Sequence, residues 1–290
     1  MSSTAAPTKF NVALCQIAVG DDKIKNIATA KNAVAKAAQN GAKVVSLPEC
    51  WNSPYATTSF PQYAEPIPTK KSELNEQTHP STFALSQLAQ SLQIYLVGGS
   101  IPERDGNGVY NTCVIFSPEG EILAKHRKVH LFDIDVPGKI TFKESDTLSA
   151  GNSITVFDTP YCKIGVGICY DIRFPELSML MRRQCAKMLI FPGAFNLTTG
   201  PAHWELLQRG RAVDNQLYVA AASPARGPEG GYQAWGHSTV VSPWGEVVAT
   251  CDHGEAIVHA EIDLEKVDEM RRNIPTSLQT RKELYELVQK

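Results

Sequence analysis

The sequence has no CxxC pair, and its seven cysteines, at 15, 50, 113, 162, 169, 185 and 251, are odd in number and irregularly spaced. That excludes a disulfide framework or a thiolate zinc site as the organising device, and suits a reducing compartment. No run approaches the roughly 18 apolar residues of a membrane span. Charge of one sign is nowhere concentrated: the net charge is -2, with acids and bases mixed along the chain. Neither a nucleic-acid stripe nor a polybasic membrane patch is present. Met1 to Lys9 is polar and lacks arginine, so it offers no apolar secretion core and no basic amphipathic address. A cytoplasmic protein is expected, with a mitochondrial share left open. Internal repeats and low-complexity segments are missing as well. The 290 residues read as a single domain, large enough to bury a core without staples.

What is present is an interleaving of strands and helices. Lys9 to Ile17 alternates like a strand, and Asp22 to Asn40 carries apolar residues at helical spacing up to a stop at Gly41. Strands follow at Val44 to Leu47 and Ile94 to Val97, either side of a helix at Ser81 to Leu92. Val109 to Phe116 and Glu121 to Lys125 form a hairpin around Ser117-Pro118-Glu119-Gly120. Further strands are expected at 153–157, 163–168, 188–191, 216–222 and 256–262. A second hairpin is expected over 237–250, and helices at 175–185, 201–215 and 264–272. Two long stretches, Asn52 to His79 and Val129 to Leu148, read as irregular, and such loops inside a compact domain are usually functional. Because neighbouring strands also pair by hairpins, the fold class is α/β with a mixed sheet, or two sheets, flanked by helices.

Ligands in α/β folds bind beyond the carboxyl ends of strands. Three reactive side chains fall at such ends: Glu49, Lys128 and Cys169. Cys169 lies in Gly165-Val166-Gly167-Ile168-Cys169-Tyr170-Asp171, with a helix starting a few residues later. That layout resembles a nucleophile elbow and leaves the Tyr170 N–H free for an oxyanion; the alternative is that Cys169 is one more buried cysteine. A thiol needs a base or a neighbouring cation. None of the seven histidines sits in an obvious partner motif, whereas a desolvated Glu49 can serve as base. Pro48 and Cys50-Trp51 around it argue against a solvated tip. Lys128, in Lys125-His126-Arg127-Lys128-Val129-His130, is either part of a solvated basic run or a cation poised beside the thiol. His126 and His130, four apart, would suit a metal on a helix, but they follow a strand and lack an obvious third ligand.

Together these segments resemble the nitrilase superfamily of carbon–nitrogen hydrolases. The resemblance is carried by Leu47-Pro48-Glu49-Cys50, by His126-Arg127-Lys128-Val129-His130-Leu131-Phe132, and by Gly167-Ile168-Cys169-Tyr170-Asp171-Ile172-Arg173-Phe174-Pro175-Glu176. Within the superfamily the chain looks most like the omega-amidases, through Glu49 to Tyr55, His130 to Glu144 and Phe191 to Asn215. Pro68 to His79 looks longer than is usual there. The resemblance implies a four-layer α-β-β-α sandwich and a homodimer, with no cofactor and no metal. It implies that Cys169 attacks the amide carbonyl, that Glu49 is the base, that Lys128 and Tyr170 N–H hold the oxyanion, and that Glu144 positions Lys128 and the substrate.

The implied substrate is the side-chain amide of a 2-oxo dicarboxylic acid monoamide (2-oxoglutaramate or 2-oxosuccinamate), whose free carboxylate calls for an arginine. Arg173 is the candidate, with Tyr55 and Thr199 as hydrogen-bonding groups and Phe195 as an apolar wall. The alternatives are that Asp171 or Glu176 absorbs Arg173, and that the core absorbs Phe195. The competing functions are an amidase of deaminated glutathione, a true nitrilase, a metallohydrolase, and a scaffold of the same fold with weak activity.

Overall fold

The structure is a computed structural model that describes residues 7–229 and 231–290. The first sheet takes the strands β1 (Lys9–Gln16), β2 (Val44–Ser46), β3 (Tyr95–Val97), β4 (Ile101–Asp105), β5 (Gly108–Phe116) and β6 (Ile122–Arg127). A separate ribbon pairs β7 (Asp133–Val136) with β8 (Ile140–Lys143). The second sheet takes β9 (Thr155–Asp158), β10 (Lys163–Val166), β11 (Ala186–Pro192), β12 (Tyr218–Ala222), β13 (Thr239–Val241) and β14 (Val247–Thr250). The last strand, β15 (Ala256–Asp263), returns to the first sheet and pairs antiparallel with β1 along its whole length.

Each sheet is parallel at its centre and antiparallel at its edges: β1, β2 and β3 in one, β10, β11 and β12 in the other. Parallel strands must be covered on both faces, and alternation along β1 shows how. Phe10, Val12 and Leu14 join the core between the sheets, whereas Ala13 and Cys15 turn to the helices outside. On that outer side lie α1 (Lys23–Gln39) and, after the short α2 (Phe60–Tyr63), α3 (Pro80–Leu92). Beyond the second sheet lie α4 (Pro175–Arg183) and α5 (Gly200–Asn215); α6 (Leu264–Asn273) and the brief α7 (Thr276–Gln279) follow β15 in the chain. The order is helix, sheet, sheet, helix, as the resemblance implied. Asp22 starts α1 by accepting from the N–H groups of Ile24 and Lys25, and Gly41 ends it at φ +88°.

Two expectations need correction. Val129 to Leu148 is not irregular: it holds the β7–β8 ribbon and a 3-10 turn at Glu144–Asp146. The turn of the ribbon is made by Pro137-Gly138, with Gly138 at φ +72°, and the short strands escape notice because half of their residues are charged or small. Ile101–Asp105, for which the sequence suggests no regular element, is the partner of β5. The Asn52–His79 stretch is largely loop, interrupted by α2 and a 3-10 turn at Lys71–Glu73.

Candidate active site

The carboxyl ends of β2, β6 and β10 deliver Glu49, Lys128 and Cys169 to one buried point. Two backbone constraints set Glu49 in place. Gly99, at φ +63°, lies so close to Pro48 O that a Cβ would approach it to 2.3 Å. Trp51 is fully enclosed and donates its indole N–H to Gly98 O at 2.7 Å. The loop bearing Glu49 is thereby pressed against the end of β3, and its carboxylate is withheld from water.

Lys128 reaches the site through strand alternation. In β6 and its extension, Lys125 and Arg127 point to one face and form an ion cluster with buried Glu103, at 2.6 Å and 2.8 Å. His126 and Lys128 point to the other face. The basic run is therefore split between two faces, and Lys128 is wholly buried. Its ammonium donates to Glu49 Oε1 and to Glu144 Oε1, each at 2.9 Å. Glu144 also accepts from Tyr55 OH at 2.9 Å and from Phe132 N–H at 2.7 Å. A cation between two carboxylates satisfies the need of a buried charge for partners. Burial alone would weaken the hold of Lys128 on its proton, but Glu144 and Glu49 keep its pKa well above the ordinary lysine value.

Cys169 opens a short 3-10 turn, Cys169–Arg173, at φ +45°, a left-handed conformation that L-residues avoid. Such strain is kept where surrounding structure enforces it. Here Gly167 allows the approach of β11: a Cβ there would stand 2.6 Å from Phe191 Cε1. Cys169 is 3% exposed, and its Sγ accepts the Ala194 N–H at 3.4 Å. Burial, then the Glu49 carboxylate, push the thiol's pKa well above its ordinary value, while Lys128 opposes them. Burial likewise raises Glu49, against the pull of Lys128. Glu49 Oε1 is taken by Lys128 and by Asn111 Nδ2 at 2.8 Å, whereas Oε2 has no hydrogen-bond partner among the described residues. The resting arrangement is thus a neutral thiol beside a carboxylate strengthened as a base.

The Tyr170 N–H is bonded to no acceptor among the described residues. Arg173 is absorbed by neither Asp171 nor Glu176: its guanidinium stacks over Phe195 at 4.8 Å and Tyr170 at 5.6 Å, and Nη1 lies 3.2 Å from His203 Nδ1. Phe195 is buried edge-on against Trp204. Tyr55 packs against Phe60, Phe142 and Tyr232. Thr199 begins α5, but its hydroxyl donates to Asn196 Oδ1 at 3.2 Å. His126 and His130 do not pair over a metal position; both imidazoles turn to Asp171. A cavity of about 180 Å3 opens beside Glu49, Tyr55 and Tyr232. Larger hollows of about 480 and 520 Å3 lie on the helical layers and touch none of the catalytic candidates.

Sequence reasoning missed Asn111, Tyr232 and the Ala194 N–H. Asn111 had a signal, a polar side chain within the apolar run of β5. Tyr232 donates to Ala194 O and packs against Tyr55 at 4.4 Å with the rings tilted by 36°, from a segment with no motif. A main-chain donor such as Ala194 leaves no mark in a sequence.

Comparison with known proteins agrees with this geometry. The carbon-nitrogen hydrolase family model matches residues 11–272. The omega-amidase NIT2-A of Xenopus laevis is 57% identical over 97% of this chain and 99% of its own length. The omega-amidase NIT2 of Homo sapiens is 56% identical over 96% of this chain and 97% of its own. Among solved structures, Saccharomyces cerevisiae Nit3, a member of branch 10 of the nitrilase superfamily, superposes with a TM-score of 0.86 at 44% identity, covering 97% of this chain and 99% of that one. The shared order of layers, the buried Glu–Lys–Cys meeting point and these near full-length identities place the chain in the carbon–nitrogen hydrolase family of the nitrilase superfamily.

Proposed function

We propose that this chain is an omega-amidase that hydrolyses 2-oxoglutaramate or 2-oxosuccinamate to the 2-oxo acid and ammonia through a Cys169 thioester. The carrying observation is the buried Lys128 ammonium, 2.9 Å from Glu49 and from Glu144, beside a nucleophile on a strained turn. It is supported by the omega-amidase relatives above.

In this reading Cys169 Sγ bonds to the amide carbon as Glu49 takes the thiol proton. The carbonyl becomes an oxyanion, held by Lys128 and the Tyr170 N–H, donors aimed at charge that appears only in the transition state. Glu49 passes the proton to the nitrogen, the C–N bond breaks and ammonia leaves. Water then attacks the thioester with Glu49 again as base, releasing the acid and restoring the thiol. Glu144 fixes Lys128 and orients the amide. Arg173 reads the distal carboxylate, Phe195 walls the methylene chain, Tyr55 steadies Glu144, and Thr199 contributes once its hydroxyl leaves Asn196.

The omega-amidase relatives favour a 2-oxo acid amide over the longer deaminated glutathione. The whole chain acts as one catalytic domain. A homodimer is supported by exposed Met179, Leu206 and Val213 on α4 and α5, and cytoplasmic residence by the cysteine usage. No helix among the described residues is long and apolar enough to cross a membrane. The test compares kcat/KM for 2-oxoglutaramate with that for a neutral amide of equal length. A strong preference for the former is expected; indifference would contradict the substrate assignment.

A further inference from the structure

Two of the segments that build the site, the lysine-bearing strand extension and the cysteine turn, meet at the side chain of Asp171. Asp171 is wholly buried and follows the nucleophile by two residues. Its Oδ2 accepts the Ile168 N–H at 2.9 Å and faces His126 Nε2 at 3.2 Å. Its Oδ1 accepts the His130 N–H at 2.9 Å and faces His130 Nδ1 at 2.8 Å. His126 and His130 stand two residues either side of Lys128, while Ile168 immediately precedes Cys169. We infer that Asp171 is a positioning residue, a clamp that fixes the lysine-bearing segment against the cysteine turn through His126 and His130. This rests on the proposed roles of Cys169 and Lys128.

The physical case is one of donors and acceptors. An ionised carboxylate only accepts, and Asp171 is held well below the ordinary carboxylate range because the His126 and His130 hydrogen bonds outweigh the cost of burial. Both imidazoles must therefore present N–H to it: His126 as the Nε2–H tautomer, with Nδ1 accepting from Thr155 Oγ1 at 3.0 Å, and His130 as the Nδ1–H tautomer. His130 is further fixed by parallel stacking on Phe174 at 3.6 Å between ring centres. The Ile168 bond also holds the entry to Cys169 at its left-handed φ. A single charge thus sets the tautomers, the turn and the separation of Lys128 from Cys169. Displacements of about 1 Å in such a separation cost about 100-fold in rate.

The test uses the full-length enzyme and compares His130→Leu, His130→Gln and Asp171→Asn with the parent and with Cys169→Ala. Ammonia release, iodoacetamide alkylation of Cys169 and Tm are read for each. In His130→Leu, kcat is expected to fall about tenfold or more with KM within about twofold. Alkylation, which forms no oxyanion, is expected to fall by about threefold or less. His130→Gln, which keeps a donor, should recover most of the loss. Histidine 15N shifts should report the two named tautomers in the parent and their loss in Asp171→Asn. A folded His130→Leu with parental kcat would overturn the inference, as would turnover and alkylation falling together in step with Tm. If Cys169→Ala kept its turnover, the underlying site reading would fall instead.

Discussion

Lys128 Nζ donates to Glu49 Oε1 at 2.9 Å, and neither side chain reaches solvent. Breaking such a pair strands a charge, which costs about 3–5 kcal/mol. Lys128→Met leaves Glu49 and Glu144 facing each other without a cation. Its unfolding free energy in urea should drop by about that amount, and ammonia release by about 100-fold or more through loss of the oxyanion donor. Parental turnover in this variant would rule out an oxyanion role.

Glu49→Gln tests the base. The variant should fold, yet its Cys169 should react with iodoacetamide much more slowly at neutral pH, because the thiol proton has nowhere to go. Unchanged alkylation would show Glu49 to be only an electrostatic neighbour.

The pH behaviour follows from the raised proton affinity of Glu49, caused first by burial. The rate should fall with acid through a midpoint above the ordinary glutamate value of about 4.3, and Glu49→Gln should abolish that limb. The stability sign is opposite to that of a paired surface carboxylate. The folded state holds the proton longer, so as pH rises above the unfolded pKa the ionising chain favours unfolding and stability is lost up to the folded pKa. The Tm of Glu49→Gln relative to the parent should therefore rise across that window; a flat difference would contradict the assigned shift.

Arg173→Lys probes the anion. A guanidinium stacked over Phe195 presents a flat, bidentate edge that an ammonium does not reproduce. kcat/KM for 2-oxo acid amides should fall much more than for a neutral amide, and equal losses would remove the carboxylate role.

Much of the site is readable in the sequence, for physical reasons. Strand ends concentrate reactive groups, so Glu49, Lys128 and Cys169 stand out by position before any comparison. The elbow at Gly167–Cys169 announces itself because close approach of β11 excludes a Cβ. Alternation divides Lys125 and Arg127 from His126 and Lys128, but only the buried Glu103, from another strand, tells which face is which. The parts not legible are long-range or main-chain: the Ala194 N–H on Cys169, Tyr232 over Tyr55, and Asp171 binding two histidines 45 and 41 positions upstream. The Asp133–Lys143 ribbon escapes because it is too short and too charged to show an apolar period.

Tyr55→Phe removes one hydrogen bond, 2.9 Å to Glu144, and leaves Lys128 and Phe132 N–H in place. The loss should be modest, about 1 kcal/mol or fivefold in kcat/KM, with little change in Tm. A loss as large as that of Lys128→Met would mean that Tyr55 acts on the substrate directly.

Ammonia release from 2-oxoglutaramate by the parent, by Cys169→Ala and by an EDTA-treated parent is the most direct test of the central claim. The account predicts release that survives EDTA and falls by several orders of magnitude in Cys169→Ala, with the variant still folded. Release that persists in Cys169→Ala, or that disappears with EDTA, would contradict it.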